Sequence, residues 1–188
     1  MTAVVLNLEN VGLTDEQFEQ LCWANKDRQF ERTAKGELVI MPPVGGVSGN
    51  READLITDLN LWNRQTGSGK VFSSSTIFRL PKEGDRSPDA AWVERRRWDA
   101  LTEEERESFP PLCPDFVIEL RSRTDALPPL HEKMQEYLDS GLRLGWLINP
   151  QQQQVEIYRR DRDVEIVQFP VCLSGETVLP GLVLDLPF

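Results

Sequence analysis

The feature that most constrains this sequence is an apolar, partly β-branched run over about 115–121 that holds one carboxylate, Glu119. Prolines precede the run, and its composition predicts a core β-strand. Because side chains alternate along a strand, Glu119 shares a face with Val117 and Arg121. A carboxylate inside a core needs a cation or a metal ion beside it. From this strand alone, Glu119 and Arg121 are equally consistent with a structural ion pair and with a functional site.

A second acidic residue stands at the start of another short apolar segment. Asp89 follows Pro88, and the segment predicts a strand over about 88–93. If the two strands are neighbours, Asp89 and Glu119 bring two carboxylates within reach of one hard cation. Magnesium is commonly held by one or two carboxylates together with water and substrate phosphate. A proline–aspartate pair by itself also marks ordinary turns.

Two predicted helices carry further candidates. In the helix predicted over 50–62, Glu52 lies on the apolar side of the first turn. It is either an acid favoured by the helix dipole or a third acidic group that faces the same pocket. In the helix predicted over 130–140, Lys133 borders the apolar stripe. Its side chain either extends along apolar surface to solvent or leans into a pocket between helix and sheet.

Other charged or polar residues of the helix predicted over 130–140 are not expected to face the pocket. Glu132 and Glu136 are predicted to point outward. His131, the chain's one histidine, lies two positions before Lys133 and therefore points away from it on a helix. We do not assign His131 a catalytic role.

Composition narrows the class of protein. With 188 residues and 39% hydrophobic content, residues 1–188 are predicted to form a single domain with a substantial core. No apolar segment is long enough for a membrane span and no signal peptide is recognisable, so we expect a cytoplasmic protein. The three cysteines are widely spaced and suggest neither a disulfide framework nor a zinc site. A net charge of −10 argues against a dedicated nucleic-acid binder but not against a nuclease, whose metal site needs carboxylates.

The order of predicted elements indicates the fold class. Strands precede and follow helices and hairpins lie at the ends, which predicts a mixed central sheet flanked by helices in an α/β or α+β domain. The remaining predicted elements are a helix that begins after Thr14, a hairpin over 29–41, a strand over 71–80, a charged segment over 94–109, a strand over 143–148, a hairpin over 155–169 and one last short strand within 171–188.

The succession of a Pro-Asp strand with the segments PDFVIELRS, KMQEYLDSG, LGWLINP and VEIY resembles the Uma-two family of proposed endonucleases. That family belongs to the restriction-endonuclease-like PD-(D/E)XK superfamily, and the likeness extends from the hairpin at Gln29 to the turn at Pro180-Gly181. The resemblance implies a restriction-endonuclease-like mixed sheet with edge hairpins. It also implies hydrolysis of phosphodiester bonds with Mg²⁺ or Mn²⁺ as cofactor.

The resemblance also implies roles for individual residues. Asp89 matches the metal-binding aspartate of the superfamily and Glu119 its second acid, while Glu52 resembles an accessory acid. The superfamily has a lysine two positions after the second acid, where this chain has Arg121. In this family the lysine role corresponds to Lys133 on the following helix. Arg121 stays protonated at neutral pH and cannot act as a base, but it is a candidate for orienting phosphate.

Two functions of different classes remain open from the sequence. The first is a metal-dependent endonuclease acting on nucleic acid, with DNA as the expected substrate. The second is a nuclease-derived module that binds nucleic acid or a protein partner without cutting. Arg121 in the lysine position and the acidic balance favour the module, whereas retention of Asp89, Glu119 and Lys133 favours the nuclease. A homodimer is expected because cutting both strands commonly pairs two active sites.

Overall fold

The computed structural model describes residues 3–8, 10–82 and 84–186. Within these ranges the strands are β1 (Val4–Leu6), β2 (Gln29–Arg32), β3 (Leu38–Met41), β4 (Gly69–Ser73), β5 (Phe78–Arg79), β6 (Asp85–Arg86), β7 (Ala90–Glu94), β8 (Phe116–Leu120), β9 (Leu144–Asn149), β10 (Gln154–Arg159), β11 (Glu165–Gln168), β12 (Val171–Ser174) and β13 (Val183–Leu186). The helices are α1 (Asp15–Ala24), α2 (Gly46–Thr66), α3 (Arg95–Asp99), α4 (Glu103–Glu107) and α5 (Leu127–Asp139).

The main sheet has six strands in the order β11-β10-β9-β8-β7-β4. Strands β8 and β9 are parallel and the other neighbours are antiparallel, so the sheet is mixed, as the order of elements predicted. A parallel pair needs a crossover connection, and α5 supplies it between β8 and β9. The predicted α/β class with a mixed sheet is therefore confirmed.

Both faces of the main sheet are covered. On one face, Phe116 and Ile118 of β8 pack with α2 and with the hairpin of β12 and β13. On the other face, Val117 packs with Met134 and Tyr137 of α5. The alternation predicted for β8 is thus observed, and it places Glu119 on the face that α5 covers.

A smaller five-stranded sheet, in the order β1-β3-β2-β6-β5, lies beside the entry to β7. Its apolar residues Phe30 and Leu38 pack against Phe18 of α1. Helix α1 begins after Thr14, as predicted, with a capping box in which Thr14 and Gln17 satisfy each other's backbone amides. The predicted hairpin over 29–41 is observed as β2 and β3.

Three sequence predictions need correction. The strand predicted over 71–80 is wrong as one element, because β4 ends at Ser73 in the main sheet and β5 begins at Phe78 in the small sheet. A turn closed by the Thr76 amide on the Ser73 carbonyl separates them, although no glycine or proline marks it. Helix α2 begins four residues earlier and ends four residues later than predicted. The segment predicted to hold one last strand holds the hairpin of β12 and β13.

One close contact fixes how near α5 lies to the sheet. Gly145 of β9 faces α5, and a Cβ atom there would lie 2.6 Å from Met134 Cε and 2.8 Å from Leu142 Cδ2. Both neighbours are fully buried, so they have little room to move. The missing side chain at Gly145 lets α5, with its Lys133, approach the strands directly.

In the described part of the chain, no helix combines the length and the apolar character needed to cross a membrane.

Replacing Gly145 with alanine should therefore destabilise the protein by about 1–3 kcal/mol, because the new methyl group overfills a packed layer. The measurement is urea unfolding followed by circular dichroism. Gly49→Ala is the control, since its Cβ would meet only Val44 at 3.8 Å and alanine favours the interior of α2. Equal stability of Gly145→Ala and the wild type would show that α5 can move away without cost.

Candidate active site

Asp89 and Glu119 lie side by side on paired strands. Strands β7 and β8 pair antiparallel up to Ala90 opposite Ile118, and the next position in this register sets Asp89 beside Glu119. Side chains that face each other across such a pair have Cβ atoms about 4.5–5.5 Å apart. The Leu120 amide donates to Asp89 Oδ2 at 2.6 Å, which holds this carboxylate against the end of β8.

Lys133 extends from α5 into the space between the two sheets. Its Nζ lies 2.8 Å from Glu119 Oε1 and 2.7 Å from Glu31 Oε1, and it donates to the Ser87 carbonyl at 3.1 Å. Lys133 is only 5% exposed, so its amine turns inward rather than along the surface to solvent. The two neighbouring carboxylates raise the pKa of Lys133 although burial opposes this, and the side chain is a buried ammonium ion at neutral pH.

Glu31 is a site neighbour that the sequence did not reveal. It belongs to β2 of the small sheet and is buried. Its Oε1 accepts from the Ser87 amide at 2.9 Å in addition to Lys133, and its Oε2 accepts from Arg86 at 2.9 Å. Burial by itself would raise the pKa of Glu31, but the charges of Lys133 and Arg86 outweigh it and hold that pKa below its ordinary value.

Arg86, which contacts Glu31, also contacts Glu136 of α5. Arg86 of β6 donates through Nε to Glu136 Oε2 at 2.6 Å, and Glu136 also accepts from the Ala34 amide. The prediction that Glu136 points outward is therefore wrong, because Arg86 and the β2–β3 turn lie over that side of α5. Glu132, by contrast, forms an exposed ion pair with Lys35.

Tyr137 completes the surroundings of Glu119. Its hydroxyl donates to Glu119 Oε1 at 3.0 Å, one helical turn from Lys133. Burial raises the pKa of Tyr137 well above its ordinary value, so the phenol keeps its proton and remains a donor. Burial also raises the pKa of Glu119, which the Lys133 ammonium partly opposes.

Glu52 and Asp89 both line a cavity of about 260 Å³ that opens beside the site. Glu31 and Ser87 also face this cavity, and the apolar segment 41–44 forms part of its rim. Ser74 donates its hydroxyl to Glu52, which fixes that carboxylate against the turn after β4. Glu52 is near enough to Asp89 for its charge to raise the pKa of Asp89.

Two other candidates lie apart from this cluster. Arg121, the candidate for orienting phosphate, donates to the Asp125 carbonyl at 3.1 Å and to the Asn149 side chain at 3.3 Å, beyond the end of β8. His131 lies on a different side of α5 and contacts Glu156 of β10 at 3.0 Å. The structure therefore brings Asp89, Glu119 and Lys133 together.

The electrostatics of Asp89 differ from those of its neighbours. Burial raises the pKa of Asp89 well above its ordinary value, and the charge of Glu119 raises it further. Lys133 and the Leu120 amide oppose this rise without cancelling it. An acid in this position gains from a nearby cation, because a cation removes the repulsion between the two carboxylates.

The donor set fits a hard divalent cation. Carboxylate oxygens are the ligands that Mg²⁺ prefers, and the cavity leaves room for the water and substrate oxygens that normally complete its six positions. As placed in the described ranges, no three His, Cys, Asp or Glu side chains converge closely enough to hold a metal ion by themselves. Asp89 and Glu119 would hold the ion, with Glu52 at the cavity wall as a third acid.

Glu31, Arg86 and Tyr137 were not identified from the sequence, because each reaches the site through contacts that local sequence pattern does not indicate. Glu31 and Arg86 lie in short strands of the small sheet, where an alternating charged residue normally indicates a solvent-facing position. Their partners lie 102 and 50 positions away along the chain. Tyr137 packs in the core beneath α5, and no pattern in the sequence indicates that its hydroxyl contacts Glu119. The one available signal for Glu31 was its position as a charged residue in a hairpin, β2–β3, that also carries the apolar residues Phe30 and Leu38.

The fold defines the class first, a mixed sheet flanked by helices, and the family match identifies it as restriction-endonuclease-like. Residues 15–187 match Uma2, described as "Putative restriction endonuclease", and the chain belongs to that family. The resemblance found in the sequence is thereby confirmed.

A solved structure supports the same fold. It is a "putative nuclease belonging to DUF820" from Anabaena variabilis ATCC 29413, with a TM-score of 0.77 over 92% of this chain and 94% of that chain. Its sequence is 20% identical to this one, so the likeness concerns the fold. No curated protein matches the sequence.

Asp89→Asn should raise the melting temperature at neutral pH when metal is removed with EDTA. The folded pKa of Asp89 is above its unfolded value, so the ionised carboxylate costs stability as pH rises from the unfolded pKa towards the folded one. Asparagine retains an oxygen for the Leu120 amide but carries no charge. We expect a gain of a few degrees, at roughly 2–4 °C per kcal/mol for a chain of this size.

The same variant should show no gain near pH 4, where Asp89 is protonated in the folded wild type. Differential scanning calorimetry at both pH values provides the measurement. A variant that is less stable than wild type at neutral pH would mean that the Asp89 charge is already compensated in the folded protein.

Proposed function

We propose that this protein is a metal-dependent endonuclease that hydrolyses phosphodiester bonds of nucleic acid, with DNA as its substrate. The observation that carries the proposal is the convergence of Asp89 and Glu119 on paired strands with the Lys133 amine 2.8 Å from Glu119. Membership of the Uma2 family supports it. The −10 net charge does not oppose it, because Asp89 and Glu52 line a cavity and Glu119 is buried beside it, so these acids do not form part of the outer surface.

Each residue has a definite task in this proposal. Asp89 and Glu119 hold Mg²⁺ or Mn²⁺, and Glu52 assists from the cavity wall. When bound, such an ion polarises the scissile phosphate and lowers the pKa of a bound water molecule. The Lys133 ammonium stabilises negative charge that develops on the phosphate. Arg121 remains a candidate for orienting phosphate and would have to leave its present acceptors to do so.

Cleavage of supercoiled plasmid and of single-stranded DNA in Mg²⁺ or Mn²⁺ tests the assignment. Asp89→Asn and Glu119→Gln should each lower the cleavage rate by at least about 10²-fold, since each removes a charged group aimed at the reacting phosphate. Lys133→Ala should slow cleavage by a similar factor with a smaller change in the metal concentration required.

The control is Asp54→Asn, which makes the same chemical change at an exposed position of α2. It should cleave at the wild-type rate. Wild-type activity in Asp89→Asn would instead support the non-cutting module that binds nucleic acid or a protein partner. Metal binding can be followed separately, because an ion that binds only the folded state raises the melting temperature with its concentration.

We also propose a homodimer and a cytoplasmic location. A two-fold pair would present two sites to the two strands of a duplex, and two-fold symmetry is the commonest closed arrangement. Static light scattering at micromolar concentration should report twice the mass of the 188-residue chain. A single monomer mass over that range would contradict the dimer.

A further inference from the structure

Glu31 is the point at which three elements of the site meet. Its carboxylate contacts Lys133 of α5, the Ser87 amide that precedes Asp89, and Arg86 of β6. Lys133 in turn donates to the Ser87 carbonyl. The backbone of Ser87, two residues before Asp89, is therefore held on both sides, by Glu31 at its amide nitrogen and by Lys133 at its carbonyl oxygen.

Lys133 divides its charge between two carboxylates. The distances are nearly equal, 2.7 Å to Glu31 and 2.8 Å to Glu119. A divalent cation held by Asp89 and Glu119 would compensate the negative charge of Glu119 in place of Lys133. It would also repel the Lys133 ammonium. Glu31 is the carboxylate that would still compensate Lys133 after this change, and a buried ammonium without a partner is strongly disfavoured.

We propose that Glu31 is a positioning residue that retains the Lys133 ammonium and frees Glu119 for a divalent cation. The inference rests on the proposed function. It adds a residue of the small sheet to a site whose other proposed residues come from the main sheet, α2 and α5.

Glu31 lines the cavity, so a direct contact with the cation is the competing explanation. Its hydrogen bonds favour the indirect role. Oε1 already accepts from Lys133 and from the Ser87 amide, and Oε2 accepts from Arg86. Asp89 Oδ2, by contrast, accepts a hydrogen bond from a neutral donor, the Leu120 amide. Burial and the charge of Glu119 raise the pKa of Asp89, so this carboxylate gains from a nearby cation.

The experiment measures the melting temperature as a function of Mg²⁺ concentration without nucleic acid. Glu31→Gln keeps the size of the side chain but removes its charge, so Lys133 would bind Glu119 alone and compete with the ion. We expect the apparent Mg²⁺ affinity to fall about 10-fold, the lower end of the effect of residues that orient metal ligands.

Glu136→Gln is the matched control. It removes the other carboxylate that contacts Arg86 but does not touch Lys133 or Glu119. Both variants should melt lower than wild type without metal, since each leaves Arg86 with one carboxylate fewer. Only Glu31→Gln should weaken Mg²⁺ binding, and equal weakening in both variants would overturn the inference.

A double-mutant cycle with Lys133→Met separates the direct role from the indirect one. If Glu31 acts through Lys133, Glu31→Gln in the Lys133→Met background should weaken Mg²⁺ binding by no more than about threefold, because coupled residues are non-additive. A further loss of about 10-fold in that background would show that Glu31 acts on the ion itself and would overturn the positioning role.

Folding failure leaves the inference testable. If Glu31→Gln does not fold, Glu31→Asp keeps the charge but withdraws the carboxylate by one methylene group. It should fold and weaken Mg²⁺ binding by about threefold or more, and wild-type affinity in Glu31→Asp would overturn the inference. The wild type distinguishes the two levels of the proposal. Without a Mg²⁺-dependent shift the proposed function fails and the positioning role with it, whereas a normal shift in both wild type and Glu31→Gln removes only the positioning role.

Discussion

The contact on which the site depends is the buried ammonium of Lys133 between Glu31 and Glu119. Removing such charges from water costs several kcal/mol for each ion, and the cost is offset only when all partners are in place. Here the partners come from β2, β8 and the Ser87 carbonyl. The small sheet, the main sheet and α5 are therefore tied together by an electrostatic requirement as well as by apolar packing.

The backbone around β8 explains why this contact can form. A parallel connection returns through α5, which lies over the face that carries Glu119. Lys133 and Tyr137 are four positions apart on α5 and so point in the same direction, towards Glu119. Gly145 removes the side chain that would hold the helix away. The closeness of α5 to the sheet thus allows Lys133 to reach Glu119 from a helix.

The sequence predicted the parts of this arrangement that depend on local pattern. The strand around Glu119, the strand that follows Asp89, the helix of Lys133 and the helix that begins after Thr14 could be read from periodicity and from residues at element ends. The partners of Lys133 could not be read in this way, because Glu31 is brought to it by the packing of two sheets. The turn between β4 and β5 was missed for the same reason: it is set by its surroundings and not by glycine or proline.

Two proline–aspartate pairs illustrate the limit of local pattern. Asp115 follows Pro114, as Asp89 follows Pro88, and both precede apolar strands. Asp115 lies at the opposite end of β8, where it pairs with Arg97 at 2.9 Å and with Arg143. Both carboxylates accept from a backbone amide, Asp115 from Glu94 and Asp89 from Leu120, but Asp89 lies next to another carboxylate. The difference between a structural acid and a candidate ligand is made by neighbours that are distant in sequence.

The ion network has a consequence for how this site can change in evolution. Losing Lys133 leaves Glu119 without its buried cation, and losing Glu31 leaves the buried ammonium of Lys133 with Glu119 as its remaining carboxylate. A lineage that loses this network would therefore replace the lysine and one acid together by apolar side chains. Descendants that keep Lys133 without Glu31 would need a new acid at the same place in space. Substitutions at positions 31 and 133 should accordingly be correlated across homologues, although Glu31 lies in a strand of the small sheet and Lys133 on helix α5.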